Sequence, residues 1–442
     1  MSESVEETLS INRRKFLKTS AVVSAAVALG QNKLFAAGSD TIRIGLVGCG
    51  SRGTAAAKNC VAASENIQLV ALADMFEDKI QASFKDLKTN GKRHWSLTKP
   101  WESADKVKVT EDTMFTGFDA YKKLLACDLD VVILATPPGF RHIHIPAAVE
   151  AGKHIFLEKP AGVDPAGIRK VIEAAKKAEE KGLAIVAGTQ RHYQAHYLEC
   201  VKRVKNGDIG RIVAAQCWWN WDRSKWHFTT RKEGWSDMEY QIRAWPYFTW
   251  LSGDHIVEQH LHNLDVINWV LETTPENATG TGGRLQRTGP DFGNIYDHFA
   301  VNYEYPNNIK VSSMCRQQEG TDAKVGECFI GTKGIAYMTE RDARIEGENP
   351  VELNSLGDNP YEEEHRQMIA SIREGKPINE GVQVAHSTLT AIIGRMSAYL
   401  GKGNLSWGWV LNRSKLDLSP EKYEMGDLSV RPVAVPGQTH MV

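Results

Sequence analysis

Long hydrophobic runs, a surplus of either charge, cysteine pairs and internal repeats are all missing from this chain, and each absence narrows what it can be. No stretch reaches the ~20 consecutive apolar residues that cross a bilayer, so stable membrane insertion is not expected. A formal charge of −1 with no basic arm removes the electrostatic basis for nucleic-acid binding. The seven cysteines are odd in number and lack C-x-x-C spacing, so they read as core residues and not as a disulfide framework or a zinc site. No repeat or low-complexity tract points to a solenoid or a linker array. What is present, 442 residues of which 42% are apolar and 24% charged, suffices for two or three globular domains with a sizeable core.

Residues 1–37 read as an export leader and not as part of the fold. Asn12-Arg13-Arg14-Lys15-Phe16-Leu17-Lys18 precedes the modestly apolar segment Thr19 to Leu29, and Leu34-Phe35-Ala36-Ala37 supplies small residues for cleavage. This is the pattern of a twin-arginine signal, which implies the twin-arginine (Tat) export machinery as a partner and a periplasmic location. That route carries proteins already folded, as a cofactor enzyme requires.

The stretch from Thr41 to Asp74 organises the mature chain. Ile42, Ile44, Leu46 and Val47 form a strand-length apolar run, Gly48-Cys49-Gly50-Ser51-Arg52-Gly53 turns out of it, and an Ala-rich helix follows. A second apolar strand ends at Asp74, about 20 residues past the last glycine, which completes a dinucleotide fingerprint. The helix N-terminus would take the pyrophosphate. An acid at position 74 accepts from a ribose 2′-hydroxyl and repels a 2′-phosphate, and Met75-Phe76 adds no arginine, so NAD is expected over NADP.

Alternating short strands and helices continue to about residue 188, with strands at 130–135, 153–157 and 183–188 and helices at 76–87, 118–126, 143–151 and 165–181. That grammar predicts a doubly wound parallel sheet, an α/β Rossmann domain over 38–188. Residues 89–112 read as a surface loop. Beyond 188, long strands at 211–221, 297–315 and 327–339 with helices at 254–271, 361–374 and 386–400 predict an α+β domain over 189–442 built on a large, mainly antiparallel sheet. The tail from Pro420 should pack as an extended arm.

Ligands of open α/β sheets gather at the strands' carboxyl ends, which brings forward Thr136-Pro137, Arg141, Glu158-Lys159 and Arg191-His192-Tyr193. In the helix from Asp254, His255, Glu258, His262 and Asp265 share one face beside a buried stripe of Val257, Leu261 and Leu264. A metal site from His255, Glu258 and His262 is permitted by spacing, though no metal is expected. Tryptophans 218, 219, 221, 226, 235, 245 and 250 crowd one region among charged residues; Trp219 and Trp221 share a strand face, and the cluster suits either a pyranose site or a packing interface.

These residues resemble the Gfo/Idh/MocA family of sugar and inositol dehydrogenases: GCGSRG at 48–53, Asp74, ATPP at 135–138, AGKHIFLEKP at 151–160 and EQHLHNLD at 258–265. The resemblance implies NAD(P) between the two domains, with Gly48, Gly50, Ser51, Arg52, Gly53, Asp74, Thr136, Pro137, Arg141, Glu158 and Lys159 at the cofactor. It also implies a dimer or tetramer formed through the open sheet. Lys159 maps to the lysine beside the nicotinamide and the reacting hydroxyl. His262 maps to the general base, oriented by Glu258 or Asp265, with Arg191, His192, Tyr193, Trp221 and Asp265 around the substrate. The chain departs from the pattern at Glu258 in place of Asp, at His260 in place of Gly and at Arg141 in place of His. The expected function is NAD-dependent oxidation of a carbohydrate hydroxyl with tightly held cofactor. A redox-neutral NAD-dependent glycoside hydrolase uses the same residues, and a sugar-binding protein that keeps NAD as a structural ligand is the non-enzymatic alternative.

Overall fold

The computed structural model describes residues 41–355 and 359–440. The leader of residues 1–37 lies outside them.

The first half alternates as the sequence predicts, with one strand, β3, beyond those expected: β1 (Ile42–Val47), α1 (Ser51–Ala63), β2 (Ile67–Asp74), α2 (Glu77–Leu87), β3 (Met114–Thr116), α3 (Ala120–Leu125), β4 (Val131–Leu134), α4 (Arg141–Glu150), β5 (His154–Leu157), α5 (Pro165–Glu180) and β6 (Ile185–Ala187). The six strands are all parallel in the order β3-β2-β1-β4-β5-β6. The order reverses between β1 and β4, which places the crevice for a ligand at their carboxyl ends. β4 is buried on both faces, which its uninterrupted VVIL requires. α5 starts where Asp164 accepts from the Gly167 amide, with Pro165 in the first turn.

Residues 89–112 are more than a surface loop. Trp101 is buried and its indole donates to the Leu87 carbonyl at 2.8 Å, over the buried Lys58 that pairs with Asp86 at 2.7 Å. One aromatic anchor thus fastens the insertion to α1 and α2.

The second half comprises α6 (Ala195–Lys205), β7 (Ile212–Trp221), α7 (Asp237–Arg243), α8 (Thr249–Ser252), α9 (His255–Glu258), α10 (Leu261–Leu271), β8 (Asn277–Gly283), β9 (His298–Tyr305), β10 (Ile309–Gln317), β11 (Lys324–Gly331), β12 (Gly334–Met338), β13 (Asp342–Gly347), β14 (Val351–Asn354), α11 (Pro360–Arg373), α12 (Gly381–Leu400), β15 (Leu405–Ser406) and α13 (Trp407–Arg413). The nine strands form one sheet, β14-β13-β12-β11-β7-β10-β9-β8-β15, antiparallel except for the β7–β10 pair. Along β9, Phe299, Val301, Tyr303 and Tyr305 turn to the helices, while Ala300 and Asn302 face outward. One face is covered and the other is open.

Three expected elements are divided. The strand at 297–315 is a hairpin, because Asn307 and Asn308 adopt left-handed backbone at φ 60° and 61° and reverse the chain. The strand at 327–339 likewise folds back between β11 and β12. The helix at 254–271 breaks at Gln259-His260 into α9 and α10, where the His260 ring is tied to Ser313 Oγ at 2.7 Å and lies 3.7 Å from Cys217 Sγ. That ring anchors the junction to β7 and β10.

The last helices return to the first sheet. Met368, Ile369 and Ile372 of α11 share a core with Ile42, Ile44, Leu46 and Cys60, and Ile185 in β6 bonds to the backbone of Ile378 and Glu380. The tail after α13 is an extended arm, as expected, with Leu418 donating its amide to Asp164 at 2.8 Å. All seven cysteines are free, and six are buried. Among the described residues no helix is long and apolar enough to cross a membrane.

Candidate active site

The glycine turn is shaped by three separate requirements. Gly48 has φ +103°, and a Cβ there would lie 2.6 Å from the Ala135 and Thr136 backbone. A Cβ on Gly53 would fall 1.8 Å from the Gly48 carbonyl oxygen, so only glycine lets α1 pack against the turn. A Cβ on Gly50 would meet nothing within 4 Å, which leaves that space open in front of the helix. The N-terminus of α1 at Ser51, Arg52 and Gly53 has no side-chain cap, so its amides remain available to an anion.

Asp74 accepts from the Cys49 amide at 2.7 Å and the Phe76 amide at 3.0 Å, so it braces the turn as well as facing the crevice. Burial raises its pKa against those two amides. A carboxylate has about four lone-pair sites, and two remain for a ribose hydroxyl. The fold does bring an arginine close: Arg243 of α7 stacks 3.7 Å above the Phe76 ring, yet Asp78 and Glu239 each hold it at 2.9 Å. Those two carboxylates satisfy its charge and preserve the preference for a 2′-hydroxyl.

Arg52, from the glycine turn, donates to Glu158 and, at 3.4 Å, to Glu364 of α11, with its guanidinium 4.9 Å from the Tyr361 ring. Glu364 and Tyr361 carry no local motif, and only tertiary packing brings them here. Thr136 and Pro137 end the β4 segment. Arg141 is turned into the protein, where it donates to Thr136 Oγ1 at 2.8 Å and to the Glu158 carbonyl at 3.0 Å. Burial pulls its pKa down to about 10. It clamps the ends of β4 and β5 together, in contrast to the cofactor contact expected of it.

Lys159 emerges from β5 and donates from Nζ to both the carbonyl oxygen and, at 2.9 Å, the carboxylate of Glu258. Glu258 therefore orients Lys159 and not His262. Asp265 does not hold His262 either: it bonds His192 Nε2 at 2.6 Å and Gln383 at 3.0 Å. His262 instead lies 5.6 Å from Trp219 with the rings 23° from parallel, and its imidazole has no hydrogen bond among the described residues. Burial, then Lys159, Arg191 and Arg52, hold its pKa well below the ordinary value, so the ring is neutral and can accept a proton.

The Arg191-His192-Tyr193 segment, expected at the substrate, divides by burial. Arg191 is buried against Glu327, which also receives Tyr197 at 2.9 Å and Asn263 at 2.6 Å, and Tyr193 donates to Glu380 at 2.7 Å. His192 is different: it stacks 4.2 Å from Trp269, and although burial alone would lower its pKa, Asp265 raises it. His255 bonds Asp254 at 3.0 Å and packs near Phe299, away from Glu258's contact with Lys159. Among the described residues no group of three or more His, Cys, Asp or Glu could hold a metal ion.

The tryptophans make a connected surface running outward from His262. Trp219 and Trp221 lie 5.9 Å apart, Trp221 and Trp226 6.5 Å, and Trp226 and Trp245 6.0 Å. Tyr247 fixes Trp226 by accepting from its amide at 3.0 Å and donating to its carbonyl at 2.8 Å. Trp218 points to the other face, under Lys324 at 3.4 Å.

Residues 42–185 match the model of an oxidoreductase family with NAD-binding Rossmann fold, and residues 197–337 match the GFO/IDH/MocA C-terminal domain. The chain belongs to the Gfo/Idh/MocA oxidoreductase family. NAD is the cofactor of this Gfo/Idh/MocA protein, in accord with the open Gly50, the uncapped α1 and Asp74. Residues 10–30 match the signal sequence of the twin-arginine translocation pathway. The chain is 28% identical over 178 residues to 2,7-anhydro-N-acetylneuraminate hydratase of Escherichia coli (strain K12), over 40% of this chain and 43% of that one. It is 22% identical over 313 residues to inositol 2-dehydrogenase of Klebsiella pneumoniae (strain 342), over 69% of this chain and 75% of that one. The chain thus spans about half the length of the hydratase it matches. The crystal structure of myo-inositol 2-dehydrogenase from Lactobacillus plantarum superimposes with a TM-score of 0.63 at 17% identity, over 83% of this chain and 99% of that one, which establishes a shared fold.

Proposed function

We propose that this Gfo/Idh/MocA protein oxidises a hydroxyl of a sugar or glycoside in the periplasm, with NAD retained between turnovers. The observation that carries this reading is the neutral, hydrogen-bond-free imidazole of His262, stacked on Trp219 and electrostatically coupled to the Lys159–Glu258 pair. His262 takes the hydroxyl proton, and Lys159, held by Glu258, donates a hydrogen bond to the same oxygen as it gains negative charge. NAD, when bound, would supply the hydride acceptor, and because it is retained, a second sugar or another carbonyl acceptor must take that hydride before the next turnover. The faces of Trp219 and Trp221 receive the C–H face of a pyranose. Outward-facing Met314 and Val213, 45% and 37% exposed on the uncovered sheet, support association of copies through that surface.

A second reading, a redox-neutral glycoside hydrolase, keeps the same residues but returns the hydride to the substrate, so that the aglycone leaves by elimination, water adds in its place and the net reaction is hydrolysis. The relative named as a hydratase favours it. Incubating the purified protein with a panel of glycosides, while following NADH absorbance and aglycone release, separates the two. NADH formed at up to one equivalent per protein, or hydride passed to an added second sugar, supports the oxidoreductase; aglycone without NADH supports the redox-neutral reaction; neither outcome from any glycoside overturns both.

A further inference from the structure

The insertion at 89–112 presents an indole that the core does not use. Trp95 is 61% exposed, yet the chain beside it is fixed, because the Ser96 carbonyl accepts from Asn59 of α1 and, at 2.7 Å, from Asn359 just before α11. The ring meets Tyr361 edge-on at 5.3 Å and lies 5.8 Å from the Arg52 guanidinium, which in turn donates to Glu158, the neighbour of Lys159. Trp95 and Tyr361 line a cavity of ≈ 400 Å³ together with Gln194 and with Glu340 and Arg341 of the β12–β13 turn. That turn is tied down: Gln194 donates to the Glu340 carbonyl at 3.4 Å, and Thr339 Oγ1 to the Asp342 carboxylate at 2.8 Å. The Glu340 and Arg341 side chains are both exposed, and among the described residues neither has a hydrogen bond or an ion pair.

One unpaired acid beside one unpaired base cancels in charge, so the cavity selects neither an anion nor a cation. It suits a neutral ligand whose groups both donate and accept, which is the property of a hydroxyl. Two carboxylate oxygens and the fork of a guanidinium can each bridge adjacent hydroxyls. Burial pushes the Tyr361 hydroxyl up to about 12 against the pull of Arg52, so it remains a donor. The exposed face of Trp95 offers the C–H face of a pyranose a flat apolar support. Arg52 touches both this aromatic wall and the residue before Lys159, so the cavity adjoins the Lys159 centre without being part of it. We propose that this cavity is a subsite for a further sugar unit, which makes the substrate an oligosaccharide or a glycoside of more than one sugar. The inference rests on the reading of the Lys159 centre as acting on a carbohydrate.

The test is calorimetric titration of the full chain saturated with NADH, so that no hydroxyl is oxidised during the measurement. The probes are methyl glycosides, mono- to tetrasaccharide, in the glucose, xylose and N-acetylglucosamine series. In at least one series the trisaccharide is expected to bind at least about tenfold more tightly than the monosaccharide. Trp95→Ala should remove that gain and leave the monosaccharide affinity, the NADH affinity and the melting temperature unchanged, while Trp95→Phe keeps most of it. Glu340→Gln, on the opposite element, should weaken the trisaccharide at least about threefold and spare the monosaccharide. Affinity independent of chain length in all three series overturns the subsite, as does a gain that Trp95→Ala leaves intact. Weaker NADH binding in Trp95→Ala assigns the indole to the cofactor and overturns it too. The subsite and the reading it rests on fail separately. Hydride transfer from a glycoside with no effect of chain length removes the subsite alone, and Trp95-dependent binding with no hydride transfer from any glycoside removes the oxidation alone.

Discussion

Lys159 Nζ lies 2.9 Å from Glu258 Oε1, and the two side chains, 11% and 8% exposed, come from opposite halves of the chain. This pair joins the end of a Rossmann strand to the short helix of the second half, and it makes the lysine proposed to act on the substrate part of the fold's interior.

Lys159→Met should therefore lose stability along with activity. Removing one partner of a buried pair typically costs about 3–5 kcal/mol because the other charge is stranded. Urea unfolding should show a loss of that order, while the double variant Lys159→Met/Glu258→Leu regains most of it and stays inactive. A single variant as stable as the parent would mean that the pair is open to water.

His262→Ala should lower kcat by roughly 10²–10⁴-fold with a small change in melting temperature, since the ring makes no hydrogen bond to lose. Its pKa lies well below the ordinary value, so the base is already deprotonated at neutral pH. The acid limb of kcat/KM should fall below pH 6.5 in the parent and be absent in the variant. A limb centred above 7 would assign the proton transfer to another group.

Gly50 and Gly53 should separate binding from folding. Gly50 has φ −72° and open space before it, so Gly50→Ala folds normally and raises the Kd for NAD at least about tenfold, near 1.4 kcal/mol. Gly53→Ala, whose Cβ would collide with the Gly48 carbonyl, should not yield folded protein. Comparable NAD affinity in Gly50→Ala and the parent would move the pyrophosphate away from this turn.

On the proposed reading, a protein exported through the twin-arginine route with its cofactor has no local supply of NAD to draw on. The purified chain should carry near-stoichiometric NAD with Kd below about 1 μM. Denaturation followed by nucleotide assay of the supernatant measures this, and cofactor-free active protein that needs millimolar NAD would contradict it.

Acid should destabilise the protein before its carboxylates titrate. Burial holds His144 down to about 3, His260 to about 3 and His154 to about 4. The unfolded chain takes up these protons below about pH 6.5, the folded chain does not, and stability falls as pH drops through that window. Glu364, whose pKa burial raises, opposes the trend in parent and variant alike. Replacing His144 by Gln should flatten the fall between pH 6 and pH 5 by about 1.4 kcal/mol per unit, read from urea unfolding.

The nucleotide half was legible because its information is local. A strand, a glycine turn, a helix start and an acid follow one another within 33 residues, from Ile42 to Asp74, and each is a matter of backbone conformation or of the next few side chains. The same holds for Lys159 at the end of β5 and for the twin arginines of the leader. The partners of the reactive groups were not legible in this way. Helical spacing puts Glu258, His262 and Asp265 on one face, but it carries no record of which side chains arrive from elsewhere. Lys159 takes Glu258, His192 takes Asp265, Glu364 takes Arg52 and Glu327 takes Arg191, at separations of 73 to 312 residues. The sequence by itself determined that a nucleotide is held and which glycine turn presents open amides at a helix start. Tertiary structure decided which carboxylate compensates each buried charge, because burial makes every such charge require a partner and only the folded packing brings one within reach.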